Sequence, residues 1–359
     1  MMAMGSLFRR PPAPMLGVDI SASSIKLVEL GQDKSGAWVL ERCAIEPLEK
    51  GCVTDGNIEK FDEVADALRR VVKKSGSKAK QVALALPHTA VITKRIVLSA
   101  SLGEQELELH VESEASQYIP FSLDEVSLDF CVVGPNAKNT DDVDVLLAAS
   151  RKEKVEDRQG LAEAVGLEAA VLDIETHAAR LAAARLIAQL PHGGRDALVA
   201  LVKVGGASTS LQIVRNDELL FEREQSFGGA QLTQMLAKHY GFSLEEAEAK
   251  KRAGDLPGDY GSVVLQPFVD SLAAEVARSL QFFFTSTPYH SVHQILVFGG
   301  SAGLPGVDQS IAAQTKVQTV IANPFLDMRM GSELRKTRMG QEAPAYLTAC
   351  GLAMRRFLQ

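Results

Sequence analysis

Three short runs of small residues have the composition of anion-binding turns. The first turn (residues 21–24) is Ser-Ala-Ser-Ser, the second turn (residues 205–209) is Gly-Gly-Ala-Ser-Thr, and the third turn (residues 299–303) is Gly-Gly-Ser-Ala-Gly. Small side chains let backbone N–H groups converge on an anion without obstruction from Cβ atoms. The first two turns are therefore predicted to clamp phosphate groups, with the third turn placed against a nucleoside.

The sequence does not favour the other chemistries that such turns support. Neither G-x-x-x-x-G-K-[ST] nor G-x-G-x-x-G occurs, so the P-loop and Rossmann interpretations lose their main support. Gly299-x-Ser301-x-Gly303 matches the nucleophile elbow of α/β-hydrolases, which also need an acid and then a histidine after the serine. The last histidine of the chain is His293, so the order of residues argues against a hydrolase.

The composition indicates a folded protein that does not bind nucleic acid. Of the 359 residues, 46% are hydrophobic, and the formal net charge of −7 would repel a polyphosphate backbone. The four cysteines have no C-x-x-C spacing, which favours free thiols in a reducing cytosol. Charged residues interrupt every apolar run before the ~18 residues that a membrane helix requires. We expect a cytoplasmic protein whose contact with a membrane is indirect.

The first two turns each lie between two stretches with the pattern of β-strands. Residues 16–20 and 25–30 flank the first turn, and residues 198–204 and 211–214 flank the second. The same hairpin therefore opens each half of the chain, which predicts a duplicated domain. The Pro-His-Gly-Gly run at residues 191–194 is the predicted boundary between the two halves.

Helical periodicity alternates with these strands, and this alternation predicts an α/β fold with two sheets. The predicted helices cover residues 61–74, 104–118, 155–165, 176–189, 231–240, 245–252 and 264–284. We expect a flexible N-terminal arm at residues 1–14, domain I at residues 15–190 and domain II at residues 191–359.

The order of the motifs resembles that of the actin-like ATPase superfamily. Residues 16–21 with Lys26, residues 204–209 and residues 298–301 resemble its phosphate-one, phosphate-two and adenosine motifs in turn. Residues 227–233, followed by the Glu248–Lys251 segment, are similar to the FtsA branch. The resemblance implies duplicated actin-like, ribonuclease H-like domains, with an FtsA-type 1C subdomain inserted at about residues 80–151. It also implies that the helix from Thr176 and the end near residues 349–351 are the connecting helices of a hinge.

A narrower resemblance is to the PilM family of type IV pilus assembly proteins. It is carried by residues 118–121, 123–130, 323–325 and 343–355, and the similarity covers nearly all of residues 15–358. It implies an ATP-binding scaffold of the inner-membrane alignment complex that captures the cytoplasmic N-terminal segment of PilN. The protein would then lie at the inner face of the inner membrane through its partners. Other pilus proteins, including assembly ATPases, and a second copy of the chain are left open as partners.

The resemblance also implies which residues bind ATP or ADP with Mg²⁺. Asp19 is expected to face the Mg²⁺ ion, and the phosphates are expected at the first two turns. Glu248 and Lys251 share one helix face and are expected at the ribose. The third turn is expected at the base. The implied nucleotide-binding residues are Asp19, Ser21, Ser23, Ser24, Lys26, Gly205, Gly206, Ser208, Thr209, Gly228, Gly229, Glu248, Lys251, Gly299, Gly300, Ser301 and Gly303.

Two positions depart from the superfamily pattern. Lys203 stands where the phosphate-two motif normally begins with an aspartate, and Ser21 stands where phosphate one normally has glycine. A protonated lysine cannot bind a cation, although it could neutralise a phosphate or pair with Asp19. Phosphoryl transfer depends on metal placement and an oriented water, so we expect weak or absent hydrolysis. Nucleotide would then act as a conformational ligand. Glu175 could orient an attacking water, but a carboxylate at a helix start, stabilised by the helix dipole, is the role that we expect for it.

Two alternative functions are compatible with the duplicated hairpins. A sugar-kinase-like phosphotransferase would need a catalytic aspartate beside a substrate pocket, and none stands out in the sequence. An FtsA-like filament-forming cell-division protein would anchor through a C-terminal amphipathic helix, whereas this chain stops at residues 357–359, soon after the predicted hinge segment.

Overall fold

The computed structural model describes residues 13–331, 334 and 342–358. The predicted N-terminal arm, residues 1–14, lies outside the described residues except for its last two positions. The strands are β1 (Met15–Ile20), β2 (Ser24–Gln32), β3 (Trp38–Pro47), β4 (Val53–Thr54), β5 (Asn57–Ile58), β6 (Gln81–Leu86), β7 (Val91–Ser99), β8 (Val126–Pro135), β9 (Asp142–Arg151), β10 (Glu168–Ile174), β11 (Val199–Val204), β12 (Thr209–Arg215), β13 (Glu218–Gln225), β14 (Gln294–Phe298), β15 (Thr319–Ile321) and β16 (Arg329–Met330). The α-helices are α1 (Phe61–Ser75), α2 (Glu104–Tyr118), α3 (Lys152–Ala164), α4 (Glu175–Ile187), α5 (Gly229–Tyr240), α6 (Leu244–Ala253), α7 (Gln266–Ser286), α8 (Val307–Thr315) and α9 (Leu347–Met354).

The two large sheets repeat one topology. The first has the strand order β10-β6-β1-β2-β3-β16, and the second has the order β13-β12-β11-β14-β15. In each sheet an antiparallel hairpin, β1–β2 or β11–β12, pairs on its other side with a parallel strand, β6 or β14. Strands β1, β6, β11 and β14 are nearly continuous apolar runs, as expected for strands that are buried on both faces of a sheet. The duplication predicted from the two hairpins is confirmed.

A third, antiparallel sheet has the order β7-β9-β8 and lies within the region where the inserted subdomain is predicted. Helix α2 packs on one face of this sheet, where buried Val111 lies in one apolar cluster with Ile96 and Val145. Buried Ala115 lies in a second cluster with Val126 and Ala149. Most of α2 is polar and exposed, because only two of its residues are fully buried. Most of the surface of the helix that covers this small sheet is therefore exposed to solvent.

Helices α4 and α9 lie in one apolar cluster with strands of both large sheets. The cluster contains Val28 and Leu30 of β2 and Val199 and Leu201 of β11, together with buried alanines of α4 and α9. Helix α9 follows the second sheet in the chain, yet it also packs on β1 of the first sheet. The two halves are therefore joined through a helical layer of small residues.

The helix predictions are confirmed to within a few residues at each end. Helix α7 begins two residues later than predicted, after a π-helical turn at Gly261–Leu265. Strands β3 and β13 are missing from the sequence prediction, because charged residues interrupt their apolar alternation, as in the Glu222–Gln225 end of β13. This omission matters, because β13 contributes a side chain to the site described below.

Candidate functional site

The first turn joins β1 to β2 and is closed by its own hydrogen bonds. The N–H and the hydroxyl of Ser21 both donate to the carbonyl oxygen of Ser24, over 3.1 and 3.0 Å. Asp19 and Lys26 are directly opposite each other in the hairpin, so their side chains share one face of the sheet. Lys26 Nζ donates to Asp19 Oδ2 over 3.1 Å and to Ser21 Oγ over 2.7 Å. Asp19 and Lys26 thus form a buried ion pair beneath the turn.

The second turn is hydrogen-bonded to the start of α5. The N–H of Gly229 donates to the carbonyl oxygen of Gly205 over 2.9 Å, and the N–H of Ala230 donates to that of Gly206 over 2.8 Å. The third turn approaches the same place, because the N–H of Ser301 donates to the carbonyl oxygen of Val204 over 3.0 Å. The structure therefore brings the second turn, the third turn and the predicted Gly228–Gly229 pair together.

Two glycines permit this close approach. A Cβ atom on Gly228 would lie 2.7 Å from the carbonyl oxygen of Gly205, closer than real Cβ contacts. Gly299 has a φ of +104°, a conformation that side chains other than glycine rarely adopt, and its Cβ would lie 2.5 Å from the carbonyl oxygen of Val204. Glycine is therefore required at both positions for the turns to meet as they do.

The first and second turns face each other across a cleft. A Cβ atom built on Gly206 would lie 3.5 Å from Ser23 Oγ, so the two turns are in near contact at this point. A cavity of about 1010 Å³ adjoins them and is lined by Ser21, Ala22, Gly205, Gly206 and Ser208 among other residues. The paired turns predicted from the sequence thus line one shared cavity.

Other predicted site residues lie beside this cavity rather than on its wall. Ser24 begins β2, and Thr209 begins β12, where its hydroxyl donates to the carbonyl oxygen of Phe227 over 2.6 Å. Gly300 and Gly303 belong to the third turn, which follows β14 on the far side of the second turn. These residues position the turns, and whether they contact a nucleotide stays a prediction.

Glu248 and Lys251 form a hydrogen-bonded group on α6, as their spacing predicts. Lys251 Nζ donates to Glu248 Oε2 over 2.5 Å, to Thr233 Oγ1 over 2.6 Å and to the carbonyl oxygen of Gly229 over 3.3 Å. Burial raises the pKa of Glu248, but hydrogen bonds from Lys251 and Thr233 outweigh this effect and lower the pKa to about 2. The pair is therefore charged and fixed next to Gly229, beside the junction of the second and third turns.

A charged cluster of four side chains spans the cleft: His88, Glu175, Lys203 and Glu224. Lys203 Nζ of β11 donates to Glu175 Oε2, at the start of α4, over 2.9 Å. His88, which follows β6, has Nδ1 at 3.3 Å from Glu175 Oε1 and Nε2 at 3.4 Å from Glu224 Oε2 of β13. Pairing with Asp19 is one of the two roles that the sequence leaves open for Lys203, and in the structure its hydrogen-bond partner is Glu175 instead. The cluster links two strands of the second large sheet, β11 and β13, to the segments that follow β6 and β10 of the first.

The side chains of this cluster shift one another's pKa values toward the charged forms. Burial raises the pKa of Glu175, but the charge of Lys203 and the hydrogen bond with His88 outweigh burial and lower the pKa to about 2. Burial also opposes the charge of Lys203, yet Glu175 and Asp19 raise the pKa of the ammonium above its usual value. The hydrogen bond to Glu175 raises the pKa of His88 despite its burial, and nearby Glu222 and Glu224 add to the effect.

Replacing His88 with glutamine is expected to remove a pH-dependent contribution to stability. A raised pKa means that folding favours protonated His88, so the stabilisation is complete below the unfolded pKa of about 6.5 and is lost as the pH rises through the higher folded pKa. The free energy of unfolding should differ between wild type and His88→Gln by about 1 kcal/mol more at about pH 5.5 than at about pH 8.5. Urea titrations at both pH values measure this difference, and an equal difference at the two would contradict the assignment.

The other end of the cavity combines the charged side chains of Arg151 and Lys154 with an apolar wall. Ile92 of β7, Val126 of β8 and the segment that follows α2, including Ile119 and Phe121, line it. The guanidinium of Arg151 lies over the Phe121 ring, 4.1 Å from its centroid. This end lies between the small sheet and the first large sheet. The opposite end, formed by the first two turns and the charged cluster, is the polar floor of the cavity.

His88 and Glu224 are functional candidates that the sequence reasoning missed. A signal for His88 exists, because it follows a strand parallel to β1, and the carboxyl ends of parallel strands meet at one edge of a sheet. Glu224 has no such signal, since its strand is itself missing from the prediction. Contacts between residues so far apart in sequence depend on the tertiary fold.

These features define the class of protein. Two sheets of repeated topology meet at a cleft that is lined by the turns of their first hairpins, which is the architecture of the actin-like fold. A family model described as type IV pilus assembly protein PilM matches residues 17–357, and the chain therefore belongs to this family.

Solved structures agree with this assignment. The structure of a PilM-PilN type IV pilus biogenesis complex is similar with a TM-score of 0.77 and 27% identity, covering 96% of this chain and 99% of that one. The ethanolamine utilization protein EutJ from Carboxydothermus hydrogenoformans (TM-score 0.58, 19% identity, 96% and 90% covered) has the same fold. So does MreB5 of Spiroplasma citri bound to ADP (TM-score 0.50, 13% identity, 94% of each chain covered).

A curated relative, the ethanolamine utilization protein EutJ of Escherichia coli K12, is 29% identical over 153 residues. The match spans 42% of this chain and 47% of that protein, which is about half the relative's length. Across the residues that the structure describes, no helix combines the length and the apolar character needed to cross a bilayer.

Proposed function

We propose that this protein is an adenine-nucleotide-binding scaffold of type IV pilus assembly that holds the cytoplasmic N-terminal segment of PilN. The observation that carries the proposal is the single cavity that runs from the Gly- and Ser-rich turns to an apolar wall beside the small sheet. One end suits phosphate, and the other suits a peptide. The protein would act at the cytoplasmic face of the inner membrane through this partner.

The geometry of the turns supports nucleotide binding. Their glycines keep backbone atoms close, and a Cβ atom on Gly206 would enter the narrow gap toward Ser23. Residues of this kind can bring N–H groups to a phosphate without steric obstruction. Glu248 and Lys251 would hold the ribose, and the third turn would contact the base. These residues fit an adenine nucleotide, which would supply a phosphate-rich ligand spanning the two sheets.

The apolar wall of the cavity supports binding of an extended peptide. Ile92, Ile119 and Val126 offer aliphatic surface at the end of the small sheet, and Phe121 offers an aromatic face. Burial of apolar side chains from a partner against this wall would contribute favourably to the binding free energy. The structure of the PilM-PilN complex, which is similar over nearly the whole chain, supports PilN as the partner.

Slow turnover of the nucleotide follows from the charged cluster. Lys203 and Glu175 are paired with each other beside the second turn, so Glu175 is not free to take a proton from an attacking water. A lowered pKa further weakens this carboxylate as a base. Nucleotide would therefore act as a conformational ligand. It would change the affinity for the partner only if it binds open and closed arrangements of the two halves with unequal affinity.

Replacing Phe121 with alanine is expected to weaken binding of a synthetic PilN N-terminal segment by about tenfold or more, because the substitution removes an aromatic anchor from the apolar wall. Isothermal titration of the segment into the protein, with and without ATP, measures the effect. Leu109→Ala is the matched control, since Leu109 is an apolar residue on α2 that is 66% exposed and does not line the cavity.

Equal affinities for Phe121→Ala and wild type would contradict the location of the segment. Failure of wild-type protein to bind the segment in either condition would contradict the proposed partner itself. Rapid phosphate release from ATP would contradict the conformational role of the nucleotide, while leaving the partner interaction standing.

A further inference from the structure

Two lysines lie beside the phosphate turns, and of these two Lys203 lines the cavity whereas Lys26 is buried behind it. Lys26 lies beneath the first turn and Lys203 lies just before the second. A Mg²⁺ ion that accompanied a nucleotide here would need about six oxygen ligands at about 2.0–2.1 Å in near-octahedral geometry. Three carboxylates lie beside these lysines: Asp19, Glu175 and Glu224. Glu224 is engaged through both oxygens, because Oε1 accepts a hydrogen bond from Ser208 Oγ over 2.5 Å and Oε2 lies 3.4 Å from His88 Nε2. The contacts of the other two decide whether the floor suits such an ion.

Asp19 is the predicted Mg²⁺ ligand, and its carboxylate is already engaged. Lys26 Nζ lies 3.1 Å from Asp19 Oδ2, and only 5% and 6% of the two side chains are exposed. The same ammonium also donates to Ser21 Oγ. A cation beside Asp19 would therefore have to compete with a buried ammonium that is fixed by two hydrogen bonds.

Glu175 is engaged through both of its carboxylate oxygens. Lys203 Nζ is 2.9 Å from Oε2, and His88 Nδ1 is 3.3 Å from Oε1. An additional divalent cation would meet two cationic or partly cationic neighbours at this carboxylate. The donor set of the floor therefore does not fit a resident Mg²⁺ ion.

Lys203 itself is suited to contact an anion. Its side chain lines the cavity next to Gly205 and Gly206 and is 23% exposed, whereas Lys26 is almost fully buried. An ammonium has three donors, and the contact with Glu175 uses one of them. The negative neighbours keep this ammonium charged at neutral pH.

We propose that Lys203, positioned by Glu175 and backed by the Lys26–Asp19 pair, replaces the divalent cation, so that the site binds nucleotide phosphates without Mg²⁺. This inference rests on the proposed nucleotide site. The fixed ammonium supplies positive charge at the point where a metal-dependent site would need an ion from solution. The ligand would be an adenine nucleotide bound through its metal-free phosphate chain.

The test is a comparison of ATP affinity with excess Mg²⁺ and with EDTA, measured by isothermal titration on the full chain. For wild type we expect the two dissociation constants to agree within about threefold. Lys203→Met should weaken binding in EDTA by about tenfold or more, because a charge-assisted contact to phosphate is lost. Lys203→Arg keeps the charge and should retain the binding in EDTA. Circular dichroism on each variant verifies that it is folded.

Each outcome has one meaning. Weakening of wild-type binding by about tenfold or more in EDTA would overturn the metal-free site and leave the proposed nucleotide function standing. Equal affinity of Lys203→Met and wild type in EDTA would overturn the role of Lys203. Absence of ATP binding to wild type in both buffers would overturn the nucleotide function itself and this inference with it. The wild-type comparison needs no variant to fold.

Discussion

Replacing Gly351 with alanine is expected to lower the free energy of unfolding by about 3 kcal/mol or more. A Cβ atom on Gly351 would lie 1.7 Å from the carbonyl oxygen of Ala178, so α9 and α4 touch through their backbones at this point. The helices cannot separate easily, because α9 is also held against β1. There a Cβ on Gly17 would lie 2.2 Å from the carbonyl oxygen of Ala349.

Urea unfolding followed by circular dichroism measures this loss. Gly258→Ala is the matched control, because a Cβ at Gly258 meets no heavy atom within 4 Å and its φ is outside the positive range. The control should change the free energy of unfolding by less than about 0.5 kcal/mol. Similar unfolding curves for the two variants would show that α9 does not pack closely on α4.

The contact at Gly351 has a consequence for the site, because α4 begins at Glu175. The helix that packs against α9 thus carries the carboxylate that positions Lys203. A shift of α4 along its axis would move Glu175 relative to β11 and would disturb the charged cluster. The apolar layer between the two sheets therefore also fixes the electrostatics of the cavity floor.

The sequence predicts the turns well because local residue types determine them. A run of small residues between two strand-like stretches can be recognised without knowledge of the tertiary structure, and both predicted hairpins are found. The pairing of Asp19 with Lys26 depends on the register of the hairpin, which the alternation of side chains does not specify by itself. The sequence therefore leaves Lys203 open as a partner of Asp19.

Long-range polar contacts were beyond sequence reasoning for a different reason. His88 contacts Glu175 and Glu224, and these residues lie on three separate elements that only the complete fold brings together. Strand β13 was also missed, since its charged residues hide the alternation of an edge strand. The floor of the cavity is therefore a tertiary feature, whereas its Gly- and Ser-rich rim is a local one.

Gly299→Ala is expected to weaken ATP binding by about tenfold and to lower the free energy of unfolding by about 3 kcal/mol. The substitution has two costs. Alanine is strained at a φ of +104°, and its Cβ would lie 2.5 Å from the carbonyl oxygen of Val204. Relief of this contact would move the third turn away from the second turn, and the two turns must stay together if one contacts the base while the other contacts phosphates.

Gly306→Ala is the control that separates the effect of backbone strain from the effect of the close contact with Val204. Gly306 also has a positive φ, of +87°, but its Cβ would meet no atom closer than 3.9 Å. The control should therefore show only the conformational cost, about 1 kcal/mol, and unchanged ATP affinity. If both variants bound ATP as wild type does, the convergence of the second and third turns would have no part in nucleotide binding. If only Gly299→Ala lost affinity, the loss would follow from the position of the turn, because backbone strain is common to both variants.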